Sequence, residues 1–279
     1  ELRPTGGFIS AFGILTFRHG IPVSFNFEDV YGTVDDHPRI APPYPLSKLL
    51  AHTSYQGHTF RDSNVDPDFP TTSAELEKFL HLTRPFQKID GVFAIDLTFF
   101  ENWMKSVSSV SVKGIKFDPS NMMDQIENLV RNVDFHSETA LADRKSGAKD
   151  LIKKMVLKSM LPWNTPGFID AFTQSFDEKH AIAFFKDEAL ESIVKDKDWG
   201  GDLTPASGED FLGVVDANYG SGKSNRYVKR SVFYNIDLES GKSSLNIHYG
   251  NPANYNVPLS MDYKGYVRAF VPADHKVNN

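Results

Sequence analysis

Arg3 stands in the stretch with the clearest chemical potential, Glu1-Leu2-Arg3-Pro4-Thr5-Gly6-Gly7-Phe8-Ile9. A guanidinium is a planar, permanently charged donor suited to phosphate or carboxylate. Pro4 keeps the residue before it extended, and Gly6-Gly7 let the backbone turn with no side chain in the way. The run puts a cation at the mouth of a tight turn that leads into a strand. That layout suits an anion site; more commonly it is a loop arginine beside a structural turn. A second cationic group is Arg144-Lys145 followed by Lys149, Lys153, Lys154 and Lys158. Lys145, Lys149 and Lys153 are four apart and share one helix face. Such a strip either meets phosphate or pyrophosphate or is simply a solvated face.

Two other stretches imitate binding loops. Ala217-Asn218-Tyr219-Gly220-Ser221-Gly222-Lys223-Ser224 fits a loose P-loop pattern after an apolar strand. A P-loop must open a helix whose amides cradle phosphate. Here Tyr227-Val228-Lys229-Arg230-Ser231-Val232-Phe233-Tyr234 follows at strand spacing, so a glycine-rich turn between strands is the reading. Lys223, Arg226, Lys229 and Arg230 still form a local basic cluster. Asp62-Ser63-Asn64-Val65-Asp66-Pro67-Asp68 begins like an EF-hand loop, but Pro67 occupies the glycine position and Ser73 the place of the bidentate glutamate. What is left is a solvated acidic loop or a looser oxygen-lined cation site. The nine histidines are scattered with no His-Glu-x-x-His spacing, and no Gly-x-Ser-x-Gly elbow occurs.

The elements that must position these groups belong to a globular chain of 279 residues, long enough for one large domain or two ordinary ones. Its 22 phenylalanines predict a Phe-rich interior. A net charge of -6 disfavours a general affinity for nucleic acid, which requires a basic surface. The absence of cysteine removes disulfides, thiol catalysis and thiolate metal sites together. No apolar run is long enough to span a bilayer.

Phe8 to Phe17 and Val23 to Phe27 predict a hairpin about the Arg18-His19-Gly20 turn. Thr72 and Glu75 have capping-box spacing before an apolar periodic segment that runs to about Phe86. Asp90 to Asp96 reads as a buried strand, Leu97 to Lys105 as a helix and Val107 to Val112 as a strand, a β-α-β spacing that predicts an α/β layered fold. Helices are expected over Asn121 to Asn132, Ala148 to Met160, from Thr165-Pro166, and over Asp187 to Lys195, with a short strand at Ala181 to Phe185. After Phe211 the pattern is of strands: Phe211 to Asp216, Arg226 to Asp237, Ser244 to Tyr249 and Tyr263 to Val271. Residues 1–210 are therefore expected to form an α/β domain. Residues 211–279 are expected to be a β-rich segment, the closing strands plus a partial, β-sandwich-like antiparallel unit.

The chain resembles a bacterial family known as domain of unknown function 4012. The likeness rests on Glu1 to Ile9, on Asp66-Pro67-Asp68-Phe69-Pro70, on Ile89-Asp90-Gly91-Val92-Phe93-Ala94-Ile95-Asp96, and on Val215-Asp216-Ala217-Asn218 with Lys223 and Tyr227-Val228-Lys229-Arg230. Members of that family are expected to be membrane-anchored with the domain outside, which implies an extracytoplasmic protein and an N-terminal anchor upstream of Glu1.

A more distant similarity is to the LytR-CpsA-Psr enzymes, which transfer glycopolymers from polyprenyl-pyrophosphate carriers onto the cell wall. Asp90 to Val112 resembles their central strand-helix-strand. That likeness implies catalytic roles for Arg3, Asp29 and Arg144, with Asp29 as a ligand for a magnesium ion; Asp62, in the acidic loop, is a further candidate metal ligand. Arg61, Lys145, Lys149, Asn218 and Lys223 become candidate substrate contacts. The implied partner is a polyprenyl-phosphate-linked glycan or a cell-wall polymer, and the implied activity a glycopolymer phosphotransferase. Two positions depart from that pattern. Thr5-Gly6 stands where an aspartate would follow the first arginine, and Glu28 stands where an arginine would precede Asp29. The alternative is a non-catalytic envelope module that binds glycan or lipid or scaffolds a surface assembly.

Overall fold

The computed structural model describes residues 9–30, 34, 40–44, 46–49, 57–122, 124–126, 146–203, 211–220, 224–252, 262–272 and 275–278. In chain order the elements begin with β1 (Ala11–Arg18), β2 (Ile21–Asp29), α1 (Leu46–Leu49), α2 (Phe69–Thr83), β3 (Gly91–Ile95) and α3 (Leu97–Val107). They continue with β4 (Val110–Val112), β5 (Ile115–Phe117), α4 (Ser146–Ser159), α5 (Thr165–Asp177), β6 (Ala181–Phe185) and α6 (Glu188–Asp196). β7 (Gly213–Asn218), β8 (Lys229–Asp237), β9 (Lys242–Gly250) and β10 (Gly265–Phe270) close the series. The result is a mixed α/β protein whose strands form small antiparallel two-stranded sheets. It divides into two compact units. One draws its described residues from Arg39–Pro67 and Thr204–Asn279, the other from Ile9–Pro38 and Asp68–Leu203.

The second of these units holds the larger core. Phe99, Trp103, Met104 and Val107 of α3 meet Leu151, Ile152 and Met155 of α4, Phe176 of α5 and Ala181 and Ala183 of β6. The expected Phe-rich interior is there. Phe99, Phe172 and Phe176 follow one another in ring contact, and Phe176 also touches Phe93 and Trp199. The polar groups inside this core are paired, as burial requires. Trp103 Nε1 donates to Ser159 Oγ at 2.7 Å, and Ser175 Oγ donates to the Ala171 carbonyl at 2.7 Å.

Local signals explain most boundaries. Asp96 caps α3 by accepting from the Phe99 amide at 3.1 Å, and Asp187 caps α6 through the Ala189 and Leu190 amides. Pro166 lies in the first turn of α5, where a missing N–H costs nothing. α2 starts earlier than the Thr72/Glu75 spacing suggests. Asp68 is its cap, accepting from the Thr71 amide at 3.0 Å and the Thr71 hydroxyl at 2.6 Å.

The larger departure concerns the strand-helix-strand of Asp90 to Val112. α3 extends through Val107, and β3 pairs antiparallel with β6, Gly91 opposite Phe185 and Ile95 opposite Ala181. β4 pairs instead with β5, Val112 opposite Ile115. The reason is local. Lys113 and Gly114 both take positive φ, 48° and 81°, which makes the tight two-residue turn that favours hairpins. Val110–Val112 is thereby committed to its sequence neighbour.

In the first unit β7 and β10 pair antiparallel, as do β8 and β9. The 3₁₀ turn Ser224–Arg226 leads toward β8. The segment after the Gly-rich run thus enters a strand, as its aromatic and β-branched spacing predicts.

Candidate functional site

The β7–β10 pair of the first unit carries a polar group on each face, because side chains alternate along a strand and cross-strand partners share a face. Val215 opposes Arg268 and Ala217 opposes Tyr266, so Arg268 and Tyr266 stand on one face with Ala217. Tyr219, just past the end of β7, packs with Ala217 against Val65 and Tyr266. Its ring centroid is 6.4 Å from that of Tyr266, which meets Tyr44 edge-on at 5.8 Å. The Arg268 guanidinium lies 5.8 Å from the Tyr266 ring and donates through Nη2 to the Val65 carbonyl at 2.8 Å.

Two groups on this face are buried and make no hydrogen bond: the Tyr219 hydroxyl and Arg268 Nε. Tyr219 is only 5% exposed. Burial pushes its phenol up to about 12; the charge of Arg268 opposes that shift, while Tyr266 and Asp62 add to it. The hydroxyl therefore keeps its proton throughout the neutral range and is a standing donor. Asp62 closes the 3₁₀ turn Phe60–Asp62, accepts from Thr59 Oγ1 at 3.2 Å and pairs with Arg61 Nε at 3.6 Å.

The opposite face carries Asp216 and Asn218. Asp216 accepts from Arg230 Nη1 at 2.6 Å and from the Tyr249 hydroxyl. Arg230 and Tyr249 face each other across β8 and β9, so this carboxylate ties that ribbon to β7. Desolvation, with the bond to Asp216, drives the Tyr249 phenol well above its ordinary range, and desolvation also raises that of Tyr263. Asn218 is fully buried. Its Oδ1 accepts from the Gly220 amide at 2.8 Å and the Lys264 amide at 3.3 Å, while Nδ2 has no partner. A Cβ at Gly220 would lie 2.0 Å from the Asp262 carbonyl oxygen, so only glycine fits beside this asparagine.

Of the residues singled out by sequence, Arg61, Asp62 and Asn218 fall in this unit and Asp29 and Lys149 in the other. Arg3, Arg144, Lys145 and Lys223 lie outside the described residues. Asp29 ends β2 opposite Ala11. Its neighbour Glu28 is gripped by Arg84 in a two-pronged ion pair, with Nη1 on Oε1 at 2.9 Å and Nη2 on Oε2. The lysines of α4 divide. Lys149 and Lys153 are exposed. Lys154 donates to the Ser111 carbonyl at 2.7 Å, and Lys158 to the Val107 and Ser109 carbonyls at 2.9 and 2.7 Å. Among the described residues no group of three or more histidine, aspartate or glutamate side chains is placed to hold a metal ion.

Sequence reasoning gave Arg268 and Tyr249 no role and placed Tyr219 only within a glycine-rich turn. The usable signal was Asp216 and Asn218 alternating with apolar residues in a strand. Polar groups at that period mark a second face that must find partners.

Residues 1–130 match the model of a family described as a protein of unknown function (DUF4012). The match takes in the opening motif, Asp66 to Pro70 and Ile89 to Asp96; the quoted residues from Val215 onward lie beyond it. No curated protein and no solved structure matches the chain.

Proposed function

We propose that this chain, whose residues 1–130 match the DUF4012 family of proteins of unknown function, is an extracytoplasmic cell-envelope module that binds a glycan without transforming it. The reading rests on one observation: the buried, unpaired donors Tyr219 Oη and Arg268 Nε beside the Tyr44–Tyr266 aromatic pair. Buried polar groups are nearly always hydrogen-bonded, so donors left unspent call for a partner from outside the chain. Sugars offer what these residues lack. Their hydroxyl and ring oxygens accept hydrogen bonds, and their C–H faces pack on aromatic rings. Asn218 Nδ2 is a further unspent donor, on the other face of the same strand pair.

The competing reading is a LytR-CpsA-Psr-like layout that transfers glycan from a polyprenyl-pyrophosphate carrier through Arg3, Asp29 and Arg144 with magnesium. It asks for positive charge beside Asp29. The residue there is the carboxylate of Glu28, itself neutralised by Arg84. A pyrophosphate clamp gains nothing from that pair, and the binding reading is preferred on this ground.

Calorimetric titration of the 279-residue chain against soluble bacterial wall polysaccharides tests the proposal. Tyr219→Phe and Arg268→Gln should each weaken binding by about tenfold, the cost of one lost bond to a desolvated ligand. A neutral sugar ligand also predicts little dependence on salt. Unchanged affinity in both variants would refute the site. Transfer of glycan from a polyprenyl-pyrophosphate donor, magnesium-dependent and abolished by Asp29→Asn, would replace binding with catalysis.

A further inference from the structure

The β1–β2 hairpin carries an apolar stripe that begins in the core and ends in solvent. Leu15 opposes Phe25 and Gly13 opposes Phe27, so Leu15, Phe25 and Phe27 share one face. Alternation puts Phe17 and Val23 on the same face; the register slips between Thr16 and Phe17 and leaves Val23 with no opposite residue. Phe27, at the inner end, packs against the large core of its unit. Its ring is 6.4 Å from that of Phe25, whose ring also covers Gly13 so closely that a Cβ there would lie 2.7 Å away. Exposure then climbs outward, from 37% at Phe25 to 46% at Leu15 and 55% at both Phe17 and Val23. The inner end is fixed as well. Arg84 holds Glu28 and lies 5.5 Å from the Phe12 ring. A two-stranded hairpin alone is marginal in water, so this base is what allows the outer half to stand with its apolar face bare.

Charge decides what that face meets. The protein is acidic, with 36 carboxylate side chains against 30 lysines and arginines, yet no aspartate or glutamate occurs from Leu2 to Phe27. The turn at the tip carries Arg18 and His19, and the nearest acids along the chain, Glu28 and Asp29, stand at the base of the hairpin. His19 and Gly20 take positive φ, 52° and 77°, making the tight reversal that keeps Arg18 beside the apolar residues. We propose that this hairpin is a membrane-docking device: Leu15, Phe17, Val23 and Phe25 seat in the headgroup–acyl boundary of an anionic bilayer, with Arg18 at the phosphates. Shallow interfacial insertion of an apolar face flanked by a cation is a known mode of peripheral attachment. An arginine can keep its charged end among headgroups while its stem lies along apolar surface. Anionic lipid adds an attraction that salt screens.

Co-sedimentation of the 279-residue chain with vesicles of phosphatidylglycerol and phosphatidylcholine tests this, with pure phosphatidylcholine vesicles as the neutral arm. The mixed vesicles should retain the protein and the neutral ones retain less, the difference shrinking in high salt. Phe17→Asp with Val23→Asp should cut partitioning about tenfold or more, since each side chain removes apolar area from water. Both positions are exposed, so the thermal melt should not move. Arg18→Glu should weaken binding to mixed vesicles only. In a third variant, Phe17→Trp should give a blue-shifted emission component with mixed vesicles that the wild type lacks. Failure to sediment, retention unchanged by the double substitution, or no spectral shift in Phe17→Trp would each overturn the proposal. So would sedimentation velocity showing a dimer that Phe17→Asp dissociates, because the face would then be covered by a second copy of the chain.

Discussion

Tyr219→Phe is expected to make the protein more stable and a poorer binder at once. The substitution removes one oxygen and leaves the ring, with its contact to Tyr266, in place. In most proteins the change costs stability, because a buried tyrosine hydroxyl is usually bonded, and losing that bond costs about 0.5–1.5 kcal/mol. Here the hydroxyl is buried without a partner. Keeping an unpaired hydroxyl out of water costs about 1–3 kcal/mol, and phenylalanine is free of that cost. Some relaxation accompanies the change, so a gain of about 1 kcal/mol is the working figure. Urea denaturation followed by circular dichroism should show a higher midpoint with an unchanged slope.

The same comparison has a pH signature. The Tyr219 phenol is raised from 10.0 to about 12 in the folded chain. Below the unfolded value both states hold the proton and nothing changes. Between the two values the unfolded chain gives up its proton first, so wild-type stability falls as pH rises through that window. The variant lacks this loss, and its advantage should widen over the same range. A midpoint that drops in Tyr219→Phe would refute the reasoning, since it would mean the hydroxyl is bonded and the donor already spent.

Arg84→Ala should destabilise the chain by about 1 kcal/mol, the value of a half-exposed but two-pronged ion pair, and a double-mutant cycle with Glu28→Gln should recover most of it as coupling. Asp68→Ala should cost about 1 kcal/mol through loss of the α2 cap. Although burial works to raise it, hydrogen bonds from Thr71 and the Leu203 amide hold the Asp68 carboxyl below its ordinary value. Its contribution is therefore present above the ordinary carboxylate pKa and lost as pH falls through the lowered one, and Asp68→Ala should flatten that part of the acid limb in denaturation scans. Lys158→Ala should cost about 1–2 kcal/mol, because its ammonium serves two carbonyls at and just past the end of α3, whereas Lys149→Ala should change stability by less than about 0.5 kcal/mol.

What could be read from sequence was what lies close along the chain. The β1–β2 hairpin follows from period-two apolar spacing about a glycine turn, and α5 from Thr165-Pro166. The β-rich character after Phe211 follows from aromatic and β-branched alternation. Pairing was not readable where it joins distant segments. Among the described residues β3 and β6 are separated by three helices and another hairpin, and nothing within either strand says that they meet. The candidate site fails to show for the same reason. Arg268 finds the Val65 carbonyl across 203 positions, and Glu28 finds Arg84 across 56. The α2 cap shows a smaller failure: the Thr72/Glu75 spacing is genuine, but Asp68, just before Pro70, offers a stronger acceptor one turn earlier.

Sequence reasoning weighted cations as anion ligands, and the fold uses many of its cations on itself. Arg84 neutralises Glu28, Arg230 neutralises Asp216 and Lys186 meets Glu77 at 2.6 Å. Lys154 and Lys158 satisfy backbone carbonyls, and Arg268 gives Nη2 to Val65. A carboxylate or carbonyl already holding a cation lowers that cation's value to an incoming phosphate, which must compete for it. Groups that the fold has left unspent are therefore better guides to a ligand than groups of the right charge. By that criterion a tyrosine hydroxyl, one arginine nitrogen and an asparagine amide outrank the described lysines, and they describe a site that counts hydrogen bonds rather than charges.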